Sequence, residues 1–499
     1  MLGVVRGAII NSTFGAGAEL DAFLAAFRIP ELLFTLVAGG ALGAAFIPVY
    51  SRYLSAGDEQ GGWRLADTVL TIVGLAAVVL AVLTAIFATQ IVASVISPEA
   101  SPDQQLLITN LMRIMLVTVV IFAISGLMMG ILNANQRFLA PALTPSLYNI
   151  GLIIGAIFLA PSMGVYGLAW GAVLGALLHL GIQLPSLREV GFQFRPSFQW
   201  RVSGAREVFF LMAPRIVGQG VTQINFLVNT TLALGISDGS LVALMTAFGL
   251  MFTVLGVLGQ SVGTAVFPTL SLFFAQSDMD GFRGTLSSAM RSVLFTTIPA
   301  ALGLVAVAVP LIATIYGRGK WTQEATTATA WALGFFAFGL PAFGLQEVLA
   351  RSFYAIKDTM TPVAIAVGGV ILNIILSILL IRVVQGSDPA QGPVGGLAIA
   401  NVVATYVEST ALWLLLRRKV GSLYDTQILT TSARVLVASL IMGAVVIGLD
   451  RALFSSAPML VRLVVGGIVG AVVFEGVALL IGVPEARSVP QTLLRRFKR

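Results

Sequence analysis

The sequence predicts an all-α polytopic membrane protein of about 14 transmembrane helices, organised as two six-helix lobes related by a parallel repeat plus two C-terminal helices. Three observations carry this reading: a succession of long apolar segments with short polar connections, a strong bias of Lys and Arg toward one set of connections, and motifs that recur about 220 residues apart. With 57% hydrophobic and 10% charged residues, the 499-residue chain is not an ordinary soluble globule.

Fourteen apolar segments cover roughly residues 2–14, 19–50, 65–97, 105–132, 138–160, 164–185, 207–235, 240–274, 291–316, 325–350, 360–382, 393–416, 433–450 and 458–484. All but the first are long enough to cross a bilayer as helices. The first, at about 13 residues, reaches only about 20 Å. Either it does not span, or the true start lies upstream. No A-x-A-like cleavage site follows it, so no signal peptide is expected. The longest polar connections, around 186–205 and 418–432, are too short to bury a core of their own. The expected divisions are residues 1–190, 205–420 and 430–499.

Twenty of the 29 basic residues fall on one side: those in the connections after even-numbered segments, with Arg487, Arg495, Arg496, Lys498 and Arg499 of the tail. Five occupy the opposite connections: Arg318, Lys320, Arg382, Arg451 and Arg462. The positive-inside rule then puts both termini in the cytoplasm of a cell membrane, as an even number of crossings requires. The net charge of +7 is spread over loop ends rather than gathered on one face, so membrane lipids and not nucleic acid are the expected surroundings. Absence of cysteine excludes disulfides and thiolate metal sites. One histidine, no phosphate-cradling Gly–Lys loop and no His–Glu metal pair leave no catalytic constellation, so a transporter is expected and not an enzyme.

The repeat appears as Gly43 with Phe46-Ile47-Pro48 against Gly263 with Val266-Phe267-Pro268, offset by 220. Ala25-Ala26-Phe27 resembles Thr246-Ala247-Phe248 at 221, and Thr144-Pro145 matches Thr361-Pro362 at 217. Each match pairs a segment with the one six places later, in the same orientation. That is a parallel repeat about an axis along the membrane normal, with a site expected between its halves.

The remaining four basic residues, Arg6, Arg28, Arg113 and Arg215, lie inside segments. Measured from the turn Phe14-Gly15-Ala16-Gly17, Arg6 and Arg28 are roughly 12–15 Å deep. A cation at that depth faces a wet cavity or a partner rather than lipid. Arg28 has Glu31 at i+3 as a local ion-pair partner. Arg113 is near enough to a helix end to snorkel. Arg6 and Arg215 have no partner in the nearby sequence and are the stronger candidates for a substrate site.

Taken together, Phe14-Gly15-Ala16-Gly17, Asp21-Ala22-Phe23, Ala26-Phe27 and Pro30, followed by Gly40-Ala41 and Ala45-Phe46-Ile47-Pro48, resemble the MurJ (MviN) lipid II flippases of the MOP exporter superfamily. Tyr316-Gly317-Arg318-Gly319-Lys320-Trp321-Thr322 and Phe353-Tyr354-Ala355 running to Lys357-Asp358 and Thr361-Pro362 are similar too. The resemblance covers essentially the whole chain. It implies a V-shaped pair of lobes around a cationic cavity, a polyprenyl groove on the last two helices, and alternating access that carries a pyrophosphate-linked saccharide to the outer leaflet for cell-wall synthesis. Cell-wall synthesis enzymes are then conceivable partners. Arginine suits the cargo because its planar fork binds phosphate oxygens in pairs and stays charged when desolvated.

By the same resemblance the family's first-helix arginine falls on Arg6 and its second-helix aspartate on Asp21, while two further cavity arginines are replaced by Phe34 and Gly249 and the acid after the first arginine by Gly7. Arg28 and Arg215 are expected to supply the missing charge, with Asp21 and Glu31 supporting. No cofactor is expected beyond coupling to Na+, for which Asn229, Asn373, Ser377, Asn401 and Thr405 could form an oxygen cage; hydrogen bonding between helices is the other reading of those residues. Glu408 and Glu475 are deep carboxylates, open to proton coupling or to pairing with a cation, and His179 reads as a packing residue. Three alternatives stay open: a flippase for another lipid-linked oligosaccharide, a cation-coupled drug exporter of the same superfamily, and a scaffold retained for assembly.

Overall fold

The computed structural model describes residues 2–37, 40–199, 204–384 and 391–487, except for a few side chains within them. Every regular element among them is helical. Among the described residues, eleven helices are long and apolar enough to cross a membrane. The described parts of the other three predicted segments are helical, 19–50 as Ala18–Val37 and Gly40–Ser55, but do not reach that mark, so the figure of fourteen is not established. Helix Leu2–Phe14 has 13 residues, Ala18–Val37 carries Glu19, Asp21, Arg28 and Glu31, and Ala205–Leu234 is rich in amides and hydroxyls.

The repeat is written in the turns. Before helix Glu59–Ile86, Gly57 (φ 73°) donates to Leu54 O, Asp58 N to Tyr53 O, and the Asp58 carboxylate caps the next helix by accepting from Gly61 N at 2.8 Å. Before helix Met279–Tyr316, 220 residues later, Ser277 (φ 59°) donates to Phe274 O, Asp278 N to Phe273 O, and Asp278 accepts from Gly281 N at 2.8 Å. This Schellman-type ending followed by an Asp cap stops one helix and starts the next within four residues. A second pair, Gln136 (φ 61°) and Lys357 (φ 62°), recurs at an offset of 221 with the same bonds to Asn133 and Tyr354.

The chain divides into two compact units, residues 1–242 with 319–321, and residues 243–318 with 322–499. Helix Ala205–Leu234 lies in the first. The core of that unit gathers Phe46, Tyr50, Leu65, Val69, Ile131 and Met212, with Phe46 and Tyr50 stacked at 5.1 Å between ring centroids. Helices Leu139–Ile154 and Val165–Gly181 approach through glycines: a Cβ on Gly151 would land on the backbone of Gly175, and one on Gly155 on that of Gly171. Within a membrane such close backbone contact takes the place of a hydrophobic drive between helices. In the second unit, helices Asp425–Leu453 and Met459–Leu480 pack beside Met279–Tyr316, with Phe295 and Phe474 at 5.4 Å, and Arg462 binds both oxygens of Asp450 at 2.7 and 2.5 Å.

Candidate functional site

Arg28 lies two residues before Pro30, in the middle of helix Ala18–Val37. Its Nε donates to Thr230 Oγ1 at 3.0 Å and its Nη1 to Glu31 Oε2 at 2.9 Å, and the guanidinium stands 5.5 Å from the centre of the Phe226 ring. Phe226 and Thr230 are one turn apart on helix Ala205–Leu234, so a single side chain meets both along that helix. The Arg28 side chain is 11% exposed and that of Glu31 33%. One turn further on, the Thr35 hydroxyl donates to Glu31 O and accepts from Gln223 Nε2 at 3.2 Å. Asn229 Nδ2 donates to Asn225 O and Asn225 Oδ1. The first unit therefore contains a polar seam where helices Ala18–Val37 and Ala205–Leu234 meet.

Arg6, half-buried on helix Leu2–Phe14, has no ion-pair partner among the described residues. Its charge and that of Glu31 both act on the hydroxyl of Tyr148, on helix Leu139–Ile154, which brings Arg6 into the neighbourhood of the Arg28–Glu31 pair. The Tyr148 ring packs edge-on to Phe122 at 5.2 Å, and Phe122 in turn contacts Phe34 at 5.4 Å and His179 at 5.1 Å. Phe34, where the resemblance implies an arginine, is thus committed to an aromatic wall. The side chain of Arg215 lies outside the described residues.

Asp21 is fully occupied elsewhere. Buried at 1% exposure, it accepts from Gly239 N at 2.6 Å and Val242 N at 2.8 Å, capping the start of helix Ser240–Leu255. Arg113 is exposed and donates to Ala85 O at 3.1 Å, at the break after helix Glu59–Ile86, a structural contact. His179 Nδ1 lies 2.6 Å from Ser125 Oγ, which also accepts from Gln183, a packing network.

In the second unit, Asn373 and Ser377 are buried on helix Met360–Val383, and Thr405 is buried on helix Gln391–Val420 with its hydroxyl donating to Asn401 O. Asn401 Oδ1 is buried and has no hydrogen-bond partner among the described residues. Glu408 accepts from Gln346 Nε2 at 2.6 Å. A Cβ on Gly249, the second position where the resemblance implies an arginine, would meet nothing within 4 Å.

Thr230, Phe226, Gln223 and Tyr148 were not singled out from sequence. The amides and hydroxyls between Gln219 and Thr231 are the signal that marks the first three; nothing local marks Tyr148.

The sequence model of the family described as lipid II flippase MurJ matches residues 10–465. The chain belongs to the lipid II flippase MurJ family. It is 31% identical to the lipid II flippase MurJ of Burkholderia cenocepacia over 84% of this chain and 81% of that protein. Identity to the probable lipid II flippase MurJ of Rhizobium tropici is 28%, over 99% and 94% of the two chains. Among solved structures, a lipid II flippase MurJ in an inward closed conformation aligns over 96% of this chain and 97% of its own, with a TM-score of 0.79 at 26% identity. An inward-facing multidrug resistance MATE family transporter of the MOP superfamily aligns over 85% and 95%, with a TM-score of 0.68 at 17% identity, and shares the fold alone. This member of the MurJ family is a multi-pass membrane protein and not an enzyme.

Proposed function

We propose that this protein flips lipid II, the polyprenyl-pyrophosphate-linked peptidoglycan precursor, from the cytoplasmic to the outer leaflet of the bacterial inner membrane by alternating access, with both termini cytoplasmic. The observation that supports this most directly, beside family membership, is the arrangement of Arg6, Arg28, Glu31 and Tyr148 in the first unit. A diphosphate needs at least two cationic or donor groups, and a lone desolvated arginine would be costly between cargoes. Glu31 resolves this: it holds Arg28 while no cargo is bound, and a diphosphate takes over that edge of the guanidinium when the head group arrives, with Arg6 contributing the second charge. Tyr148, on whose hydroxyl the charges of Arg6 and Glu31 both act, offers a neutral donor.

Ion coupling belongs to this proposal through Asn373, Ser377, Asn401 and Thr405. The unsatisfied Asn401 Oδ1 is the kind of atom a hard cation takes as a ligand. The set lacks a carboxylate, so Na+ would be held there by dipoles.

Complementation of a MurJ-depleted cell, scored together with the accessibility of lipid II at the outer surface, tests the assignment. Restored growth with restored exposure supports it; growth without any change in exposure overturns it. A flippase for another polyprenyl-linked saccharide is the second reading, favoured by Phe34 and Gly249 at two arginine positions, and it predicts that neither growth nor exposure is restored.

A further inference from the structure

The connection that leaves helix Gln183–Glu189 does not wander in solution. Phe192 is buried in the core of the first unit, and from there the chain runs extended along helix Glu59–Ile86. Arg195 N donates to Asp67 Oδ1 and Ser197 N to Thr71 Oγ1, both at 3.0 Å, with the Thr68 and Ser197 hydroxyls 3.3 Å apart. The match is geometric: two extended residues advance roughly 6.6 Å and four helical residues roughly 6 Å, so alternate amides of the strap meet acceptors one turn apart on the helix. Strap and helix run in the same direction. On that helix the large apolar side chains exposed at the surface begin at Leu75, one turn beyond Thr71, and continue through Val78, Val79, Val82 and Leu83. Ser197 is therefore level with the last polar turn before the lipid-facing band. Phe194 and Phe198, on either side of the bonded pair, are 46% and 68% exposed, and Arg195 beside Phe194, Arg64 one turn before Thr68 and Arg188 at the end of helix Gln183–Glu189 are exposed too.

We propose that residues 192–199 form an interfacial strap that lies on an anionic phospholipid surface, with the Phe194 and Phe198 rings entering the head-group and acyl boundary and Arg195, Arg188 and Arg64 meeting lipid phosphates. Rings that large are not left in water when an apolar phase begins one helical turn away. The arginines next to them are placed to collect anionic lipid by charge. Only the backbone amide of Arg195 is used to hold the strap, which leaves the guanidinium at the surface; its charge also acts on Asp67.

The chain has no cysteine, so single substitutions carry a nitroxide label uniquely. The full-length protein with Phe194→Cys or Phe198→Cys is placed in nanodiscs of phosphatidylcholine alone or with phosphatidylglycerol, and accessibility to oxygen and to a water-soluble nickel chelate is measured. Asp103→Cys, at an exposed helix start, marks water, and Val79→Cys marks lipid. We expect labels at 194 and 198 to resemble the one at 79, with nickel accessibility several-fold below that at 103, and a further drop when phosphatidylglycerol is present. Arg195→Gln should remove that further drop while leaving the strap bonds intact. Nickel accessibility equal to that at 103 overturns the strap as a membrane contact, and burial that is indifferent to phosphatidylglycerol overturns the anionic partner.

Discussion

Asp21 and Gly239 are joined by a 2.6 Å hydrogen bond across 218 residues of sequence, with the aspartate's second oxygen on Val242 N. Gly239 has φ 85°, and a Cβ there would meet Ala16 O at 2.6 Å, so the backbone on both sides of this bond is tightly constrained. Asp21→Ala leaves two buried amides without acceptors, which costs about 2–4 kcal/mol. Thermal unfolding in detergent should fall accordingly, with Gly239→Ala lowering it as well. Unchanged unfolding in both variants would contradict the cap.

Substitutions at Arg28 should separate charge from geometry. Lysine keeps the charge but cannot present the two divergent N–H bonds that reach Thr230 and Glu31. We expect Arg28→Lys to fold and to lose at least about tenfold in flipping, as the loss of one charge-assisted bond of about 1.5–3 kcal/mol implies. Glu31→Gln, which removes the competitor for Arg28, should bind a soluble diphosphate analogue more tightly than wild type. Equal or weaker binding would remove Glu31 from the proposed exchange.

Restoring arginine at the two departed positions should differ in cost. Phe34→Arg breaks the ring contact with Phe122 and buries a charge against the core cluster, and a loss of about 3 kcal/mol or more is expected. A Cβ at Gly249 displaces no neighbour, so Gly249→Arg should cost clearly less than Phe34→Arg. Comparable melting temperatures for the two variants would contradict this contrast.

In the connection after helix Gln323–Ala355, burial works to raise the Asp358 carboxyl, but the Lys419 ammonium and the Thr361 hydroxyl and amide outweigh it and hold it at about 2, below the usual 3.8. A lowered folded value means that the carboxylate stabilises the fold above pH 3.8 and that this is lost as pH falls toward 2. Lys419→Met should thus lower the melting temperature above pH 4 and converge on wild type near pH 2. Lys419 is about half exposed, so the difference should be small and salt-sensitive.

Hydrophobic length, charge bias and the 220-residue offset sufficed to give the helical architecture, because each is a one-dimensional record of the bilayer and of the repeat. The Arg28–Glu31 pair was legible for the same reason, lying three residues apart on one helix. Thr230 was not, since its contact with Arg28 spans 202 residues and depends on how two helices meet. Asp21 shows the converse limit: its identity could be read, yet only coordinates reveal that both oxygens bind backbone amides. Asp67 was overlooked as a buried acid because it stands near a segment's end, where a carboxylate is ordinarily solvated; here the strap backbone covers it.

The paired turns at residues 57 and 277, and at 136 and 357, keep the same backbone bonds although Gly, Ser, Gln and Lys occupy the left-handed position. Ancestry in this chain is therefore preserved as punctuation more faithfully than as vocabulary. A duplicated half can exchange its side chains for new cargo contacts so long as each rod still stops and restarts at the inherited residue, which leaves Phe34 and Gly249 free to differ where the turns are not.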